Sequence, residues 1–225
     1  MDKKYLKTSP AQRIIITLIA IFLLGSTMAV YISIVISGNK KESDATALEE
    51  EYTKKQTAYN EYGAELSSRY LNELIGYKSQ VKAYNAESAN SVGVRTTDLK
   101  EGTGRELTAG DTDYYAYYIG WCADETVFDS SFDNFENPTS LKNPLYVGLG
   151  LIQGWNDGVI GMKIGGVREV QMPGEVAYAD SQEICGGYNS PLKFVIMPIE
   201  DEKLRTLDEE LKDAYFKLVS SQSSK

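Results

Sequence analysis

From Ile152 to Tyr178 the chain reads IQGWNDGVIGMKIGGVREVQMPGEVAY, and no other stretch restricts the fold as much. Trp155, Val159 and Met162 fall at i, i+4 and i+7, which predicts one face of a short helix over 155–162. Gly158 and Gly161 are poor helix formers, so their presence predicts close approach of the helix backbone to a sheet. Gly165 and Gly166 end the helix and open a strand, Val167 to Met172, which Pro173 stops.

Residues 113–121, DYYAYYIGW, predict a strand with Tyr114, Ala116 and Tyr118 on one face and Tyr115, Tyr117 and Ile119 on the other. Shorter strands are expected at Val127-Phe128 and at Leu145 to Val147. Leu192 to Met197 places Leu192, Phe194 and Ile196 on one face. Strands flanking one short helix give the expected class: α+β, a curved, mostly antiparallel sheet wrapped around that helix.

Charge and composition exclude several functions. The net charge is −9, with no basic cluster outside the N-terminus. No nucleic-acid partner is expected, because phosphate neutralisation needs a Lys/Arg surface. There is no histidine in the 225 residues. That removes Ser-His-Asp and Cys-His nucleophilic machinery and His-containing zinc sites. Two cysteines do not make a four-cysteine zinc site. The chemistry is expected to use neither a histidine base nor a metal or other cofactor.

Ile14 to Ile36 contains no charged residue. As a helix its 23 residues span roughly 34 Å, against a hydrocarbon core of about 30 Å. A buried helix of this length would keep a polar face. A cleaved signal peptide has a shorter apolar run and a small-x-small site. The run is therefore expected to be an uncleaved transmembrane anchor. Lys3, Lys4, Lys7 and Arg13 precede it and Lys40 and Lys41 follow, which orients the N-terminus to the cytoplasm. The chain would be a single-pass protein of the cell membrane with its bulk outside the cytoplasm.

After the anchor, Leu48, Tyr52, Tyr59, Tyr62, Leu66, Tyr70, Leu74, Tyr77, Val81 and Tyr84 recur at steps of mostly three or four, a helical stripe. A continuous helix over 42–88 would be on the order of 70 Å long. Two readings are open. The stripe is a coiled-coil seam that makes a homodimer, or it packs on the folded domain or a partner. Asn85 to Ser91 reads as a linker. Leu204, Leu207, Leu211, Tyr215 and Leu218 predict a C-terminal helix with a Ser-rich, disordered end. The expected organisation is a cytoplasmic N-terminus 1–13, a transmembrane helix 14–36, a helical stalk and linker 37–91, a folded domain 92–200, and a C-terminal helix and tail 201–225.

Six motifs follow one another in the folded region: Tyr118-Ile119-Gly120, Phe128-Asp129-Ser130-Ser131, Ile152-Gln153-Gly154-Trp155 with Gly158, Met162 with Gly165, Pro173 with Ala177-Tyr178, and Asn189-Ser190-Pro191-Leu192-Lys193-Phe194. In this order and spacing the chain resembles the FKBP-type peptidyl-prolyl cis-trans isomerases over roughly residues 94–200. The resemblance implies that Trp155 is the floor of an apolar pocket and that Tyr118, Phe128 and Phe194 are its aromatic walls. It implies that Ile152, with Leu151 beside it, borders the pocket and offers its backbone N–H to a ligand carbonyl. Asp129 and Tyr178 would be polar groups at the rim. Leu145 or Val147 would take the place of a further pocket aromatic, and Ile184 would touch substrate from the flap.

The implied mechanism needs no nucleophile. Amide resonance sets a rotational barrier of about 18–20 kcal/mol. Rotation breaks that resonance, and a dry aromatic pocket favours the twisted, less polar state over the planar amide. Two segments depart from the family pattern. The loop Phe132 to Asn143 is longer than usual, and no basic partner for Asp129 is assigned in it. Residues 180–188 replace the usual flap, with Gly186 and Gly187 where apolar and proline residues are common. In the resembling fold Cys122 and Cys185 both neighbour the pocket. An oxidising compartment would allow a disulfide that tethers the flap; two free, partly buried thiols are the alternative.

The function implied is prolyl isomerisation on unfolded or nascent proline-containing polypeptides, assisting the folding of exported or surface proteins. A second function, motivated by the altered flap, is a catalytically weak membrane-tethered holdase or assembly factor using the same pocket. A third, motivated by the tyrosine stripe, is a stalked surface protein with the domain as an adhesive tip.

Overall fold

A computed structural model describes residues 42–148 and 151–223. The apolar run 14–36, and the expected anchor with it, lies outside the described residues. Among those described, no helix is long and apolar enough to cross a membrane.

Helix α1 runs over Glu42–Gly76, 35 residues, or about 52 Å at 1.5 Å per residue. It stops at Gly76 and not near 88, because Gly76 gives way to a 3-10 turn over Lys78–Gln80. The expected linker contains a short helix, α2, Ala86–Asn90. Its N-cap is Asn85, whose side chain accepts the Ser88 N–H at 2.6 Å.

Six strands follow: β1 Arg95–Lys100, β2 Tyr114–Trp121, β3 Val127–Ser130, β4 Leu145–Val147, β5 Val167–Met172 and β6 Leu192–Ile199. They form one antiparallel sheet in the order β1-β5-β6-β2-β3, with β4 also paired to β2. Along one edge, β2 pairs with β6 from Tyr115 to Trp121. Its other edge is shared: β4 covers Tyr114 to Ala116 and β3 covers Ile119 to Trp121. The long β3–β4 loop leaves between them. Strand β1 was not expected, since RTTDLK is mostly exposed and carries no apolar alternation.

Helix α3, Gln153–Gly158, lies on one face of the sheet, here the inner face. It is shorter than the expected 155–162, with Val159 as its C-cap. A Cβ on Gly158 would stand 2.4 Å from Val170 Cγ1, so the close approach expected there is present. Gly161 differs: it has open space around it and φ +76°, so it serves the turn after α3.

The alternation along β2 sorts two cores. Tyr114 and Ala116 join Trp155, Val159, Met162, Phe194 and Ile196 on the inner face. Tyr115, Tyr117, Ile119 and Trp121 point the other way and are buried with Tyr59, Tyr62, Leu66 and Leu74 of α1. A strand apolar on both faces needs a layer on each, and α1 supplies the outer one. Fully buried Leu66 and Leu74 each contribute about 1.5–3 kcal/mol.

The C-terminal helix α4, Glu202–Ser223, completes that layer. Asp201 caps it by accepting the Leu204 N–H at 2.9 Å. It runs antiparallel to α1, as the pairs Tyr62–Asp201, Lys55–Glu210 and Glu51–Lys217 require. Tyr115 reaches through to donate to Asp208 Oδ2 at 3.1 Å.

These contacts correct the expected organisation. Residues 42–76 are not a projecting stalk, and the tyrosine stripe is not a free coiled-coil seam, because the stripe is used against the sheet and α4 of the same chain. Beyond the expected domain 92–200, α1 and α4 pack onto the same sheet and extend the folded unit on both sides. The motive for a stalk-mediated homodimer and for an adhesive tip goes with the stripe.

Candidate active site

Four aromatic side chains from four elements meet on the inner face. Trp155, on α3, is 3% exposed and contacts Tyr118 of β2 edge-on at 5.6 Å and Phe194 of β6 at 5.4 Å. Phe194 in turn meets Tyr118 at 6.4 Å and Phe128 of β3 at 5.5 Å. Each ring has a local reason to be there. Tyr118 and Phe194 occupy inner-face positions of adjacent strands. Phe128 is the extra residue of a bulge: Gly120 pairs with Asp129 and Trp121 with Val127, leaving Phe128 between. Gly120 makes room, since a Cβ there would stand 2.7 Å from the Phe194 ring and 2.8 Å from Phe128.

Polar groups fix this cluster from below. Trp155 Nε1 donates to the Tyr114 hydroxyl at 3.2 Å. Burial pushes the Tyr114 hydroxyl up to about 12, so it stays a neutral partner. Arg168 on β5, 7% exposed, donates Nη1 to the carbonyls of Gly158 (3.0 Å) and Ile160 (2.9 Å) at the end of α3. Its Nε is bound to Asp98 Oδ1 of β1 at 2.6 Å. A guanidinium thus caps the helix that carries Trp155 and anchors it to the sheet.

At the edge of the cluster, the Tyr118 hydroxyl donates to Asp129 Oδ2, and the Ser130 N–H donates to Oδ1 at 2.8 Å. Burial first, and the Asp129 charge second, push the Tyr118 and Tyr178 hydroxyls up. Tyr178 is half-buried, and among the described residues its hydroxyl has no hydrogen-bond partner. Ile152 is the N-cap of α3, its carbonyl accepting the Trp155 N–H at 3.0 Å. Leu151, Ile152, Leu145 and Ile184 are half-buried against the inner cluster. Val147, the alternative to Leu145, is fully buried in the same inner cluster as Trp155 and Phe194.

The flap between Pro173 and Pro191 is held at base and tip. At the base, the Gly174 N–H donates to Asn90 Oδ1 (2.8 Å) and Asn90 Nδ2 to the Asn189 carbonyl (3.1 Å), so α2 secures it. At the tip, Ile184 and Gly187 exchange backbone hydrogen bonds of 3.0 and 3.1 Å around Cys185 and Gly186. Both central residues have positive φ, 54° and 78°, as a two-residue hairpin requires. Cys185 is disulfide-bonded to Cys122, just past β2, with the Cα atoms 5.5 Å apart.

Comparison with known proteins places the sequence in one family. The sequence profile described as FKBP-type peptidyl-prolyl cis-trans isomerase matches residues 104–197. An FK506-binding protein of Neisseria meningitidis serogroup B (strain ATCC BAA-335 / MC58) is 35% identical over 111 residues, which are 48% of this chain and 93% of the relative. The chain belongs to the FKBP-type peptidyl-prolyl cis-trans isomerases. The chloroplastic peptidyl-prolyl cis-trans isomerase FKBP13 of Arabidopsis thaliana is 33% identical over 107 residues, 44% of this chain and 49% of the relative. The crystal structure of AtFKBP13 aligns at 30% identity and a TM-score of 0.37, over 48% of this chain and 92% of that chain.

In this FKBP-type isomerase two residues near the aromatic cluster escaped the sequence reading. Lys142, from the β3–β4 loop, places Nζ 3.7 Å from Asp129 Oδ1, where the sequence reading had assigned no basic residue. The only Lys or Arg in 132–143 was the available signal. Arg168 is the other: its parity with Val170 and Met172 puts a charge on the apolar inner face, which always asks for a partner.

Proposed function

We propose that this isomerase binds Xaa-Pro segments of unfolded or nascent chains at the inner-face aromatic cluster, and that it does so outside the cytoplasm, tethered by residues 14–36, to assist the folding of exported or surface proteins. The observation that carries the reading is the convergence of Trp155, Tyr118, Phe128 and Phe194 beneath the Tyr118–Asp129 hydrogen bond. The proline ring packs over Trp155. The Ile152 N–H, without a partner among the described residues, receives a substrate carbonyl, and the free Tyr178 hydroxyl orients the chain. The surrounding apolar walls favour the twisted amide, whose carbonyl is less polar than that of the planar form.

The disulfide supports placement in an oxidising compartment. So does the uncharged run 14–36 with lysines before it. The flap hairpin at 184–187 favours a second reading, in which the pocket holds clients with little turnover. One experiment separates the two: refolding of a substrate protein limited by proline isomerisation, with and without the full chain in detergent micelles. Faster refolding at substoichiometric amounts supports the enzyme. Suppressed aggregation with unchanged refolding rate supports the holdase.

A further inference from the structure

The β3–β4 loop is seated on α1. After β3 the chain doubles back on itself: Phe132 bridges Leu141, the Asp133 N–H donates to the Ser140 carbonyl (3.1 Å), and the Lys142 N–H donates to the Ser131 carbonyl (2.8 Å). Asp133 gathers the turn, accepting from the Thr139 hydroxyl (2.5 Å), the Thr139 N–H (3.0 Å) and the Asn134 N–H (2.8 Å). The Thr139 hydroxyl foremost holds the Asp133 carboxyl well below the usual range. In the returning arm the side chains alternate. Leu141, 6% exposed, and Asn143 turn to α1, and Lys142 between them turns to β3.

Helix α1 carries a matching seat. Ser67, 4% exposed, accepts the Leu141 N–H at 2.6 Å. Asn60 Oδ1 accepts from Asn143 Nδ2 at 2.9 Å. Gly63 is a poor helix former inside a helix, and a Cβ on it would stand 1.7 Å from Asn143 Oδ1. On the other side of the arm, Lys142 Nζ donates to the Ser130 carbonyl at 2.8 Å and stands 3.7 Å from Asp129, with its side chain 57% exposed.

We propose that Ser67, Gly63 and Asn60 are positioning residues of the active site: they fix the β3–β4 loop so that Lys142 stands at the pocket mouth, where it favours chains with an acidic residue beside the proline. The inference rests on the reading of Asp129 as the acid at that mouth. An ammonium has three donors, and Lys142 uses one on Ser130 among the described residues. The rest of the ammonium stands 3.7 Å from Asp129 Oδ1 and, with its side chain 57% exposed, opens to solvent beside the aromatic cluster, where it can meet an acidic residue next to the proline. The outer-layer helix, remote from the aromatic cluster, thereby sets substrate choice.

The test is the ratio of kcat/KM for a Glu-Pro peptide to that for an otherwise identical Leu-Pro peptide, with the full chain in detergent micelles. Lys142→Gln is expected to lower the ratio about two- to fivefold, the range for one partly exposed ion pair. Ser67→Ala and Gly63→Ala, each read separately, are expected to lower it in the same direction, and to change it no further when added to Lys142→Gln. A ratio that stays at the wild-type value in Ser67→Ala and Gly63→Ala while the melting temperature falls would overturn the positioning role. An unchanged ratio in Lys142→Gln would overturn the substrate choice. Undiminished turnover of both peptides by Asp129→Asn would instead remove the pocket-mouth reading on which the proposal rests.

Discussion

Tyr118 donates its hydroxyl hydrogen to Asp129 Oδ2, joining one ring of the aromatic cluster to the carboxylate at its edge. Asp129 is half exposed, so water competes for its carboxylate and the bond contributes at the low end of the energy range for charged partners. Tyr118→Phe is expected to lower kcat/KM for Xaa-Pro peptides roughly tenfold, about 1–1.5 kcal/mol. Asp129→Asn added to it is expected to cost less than the two single losses combined, because they break one interaction. Full activity in Tyr118→Phe would show that the bond has no part in turnover.

The disulfide is the only covalent hold on the flap. Cys122 and Cys185 are 63 residues apart, for which loop-closure entropy gives roughly 4 kcal/mol as an upper guide. The double variant Cys122→Ala/Cys185→Ala is expected to lose about 2–4 kcal/mol in urea unfolding. Its flap is also expected to be cut faster by protease, with cleavage between 180 and 188. Unchanged unfolding midpoint and unchanged cleavage would mean that the Asn90 contacts alone hold the segment.

Buried tyrosines set an alkaline limit. Burial pushes Tyr114 up to about 12 and also raises Tyr59, Tyr84, Tyr115, Tyr117, Tyr118 and Tyr178. A folded-state pKa above the unfolded value of about 10 contributes stability that is fully present below pH 10 and is lost as pH rises through the folded values. The urea midpoint should therefore hold between about pH 7 and 9 and fall steeply above about 10. Tyrosinate absorbance from these residues should rise together with unfolding. Titration of all tyrosines in a still-folded protein would contradict their burial.

Helix α1 is part of the domain, which gives a prediction about shortened chains. A chain of residues 92–200 would expose Tyr115, Tyr117, Ile119 and Trp121, which α1 and its following segment cover. It is expected to aggregate or to unfold at markedly lower urea than a chain of 42–223. Equal midpoints for the two would show that α1 is dispensable.

The inner half of this architecture is legible in the sequence because its signals are local. DYYAYYIGW assigns two faces by period alone, and Gly158 announces the close approach of α3 to Val170. The outer layer is not legible in the same way. The stripe from Leu48 to Tyr84 says that one helix face is apolar, but periodicity does not say what covers it; β2, apolar on both faces, held the answer. Strand β1 had no pattern to read, being an edge strand recruited by backbone pairing to β5. At the site, Trp155, Tyr118, Phe128 and Phe194 were named from motifs and the structure brings them together. Leu145 and Val147 share a face, so period alone does not separate them; only packing does, leaving Leu145 half-buried and Val147 fully buried. Lys142 went unassigned because a loop has no period, and its neighbour Leu141 is bound to Ser67, 74 residues earlier in the chain.

The most direct measurement is cis/trans exchange of an Xaa-Pro peptide by NMR, with the full chain in detergent micelles, comparing wild type with Asp129→Asn and Tyr178→Phe. Acceleration by the wild type, reduced in both variants at unchanged melting temperature, is the expected result. No acceleration from a folded wild type, or full acceleration by both variants, would contradict the placement of isomerisation at the pocket around Trp155.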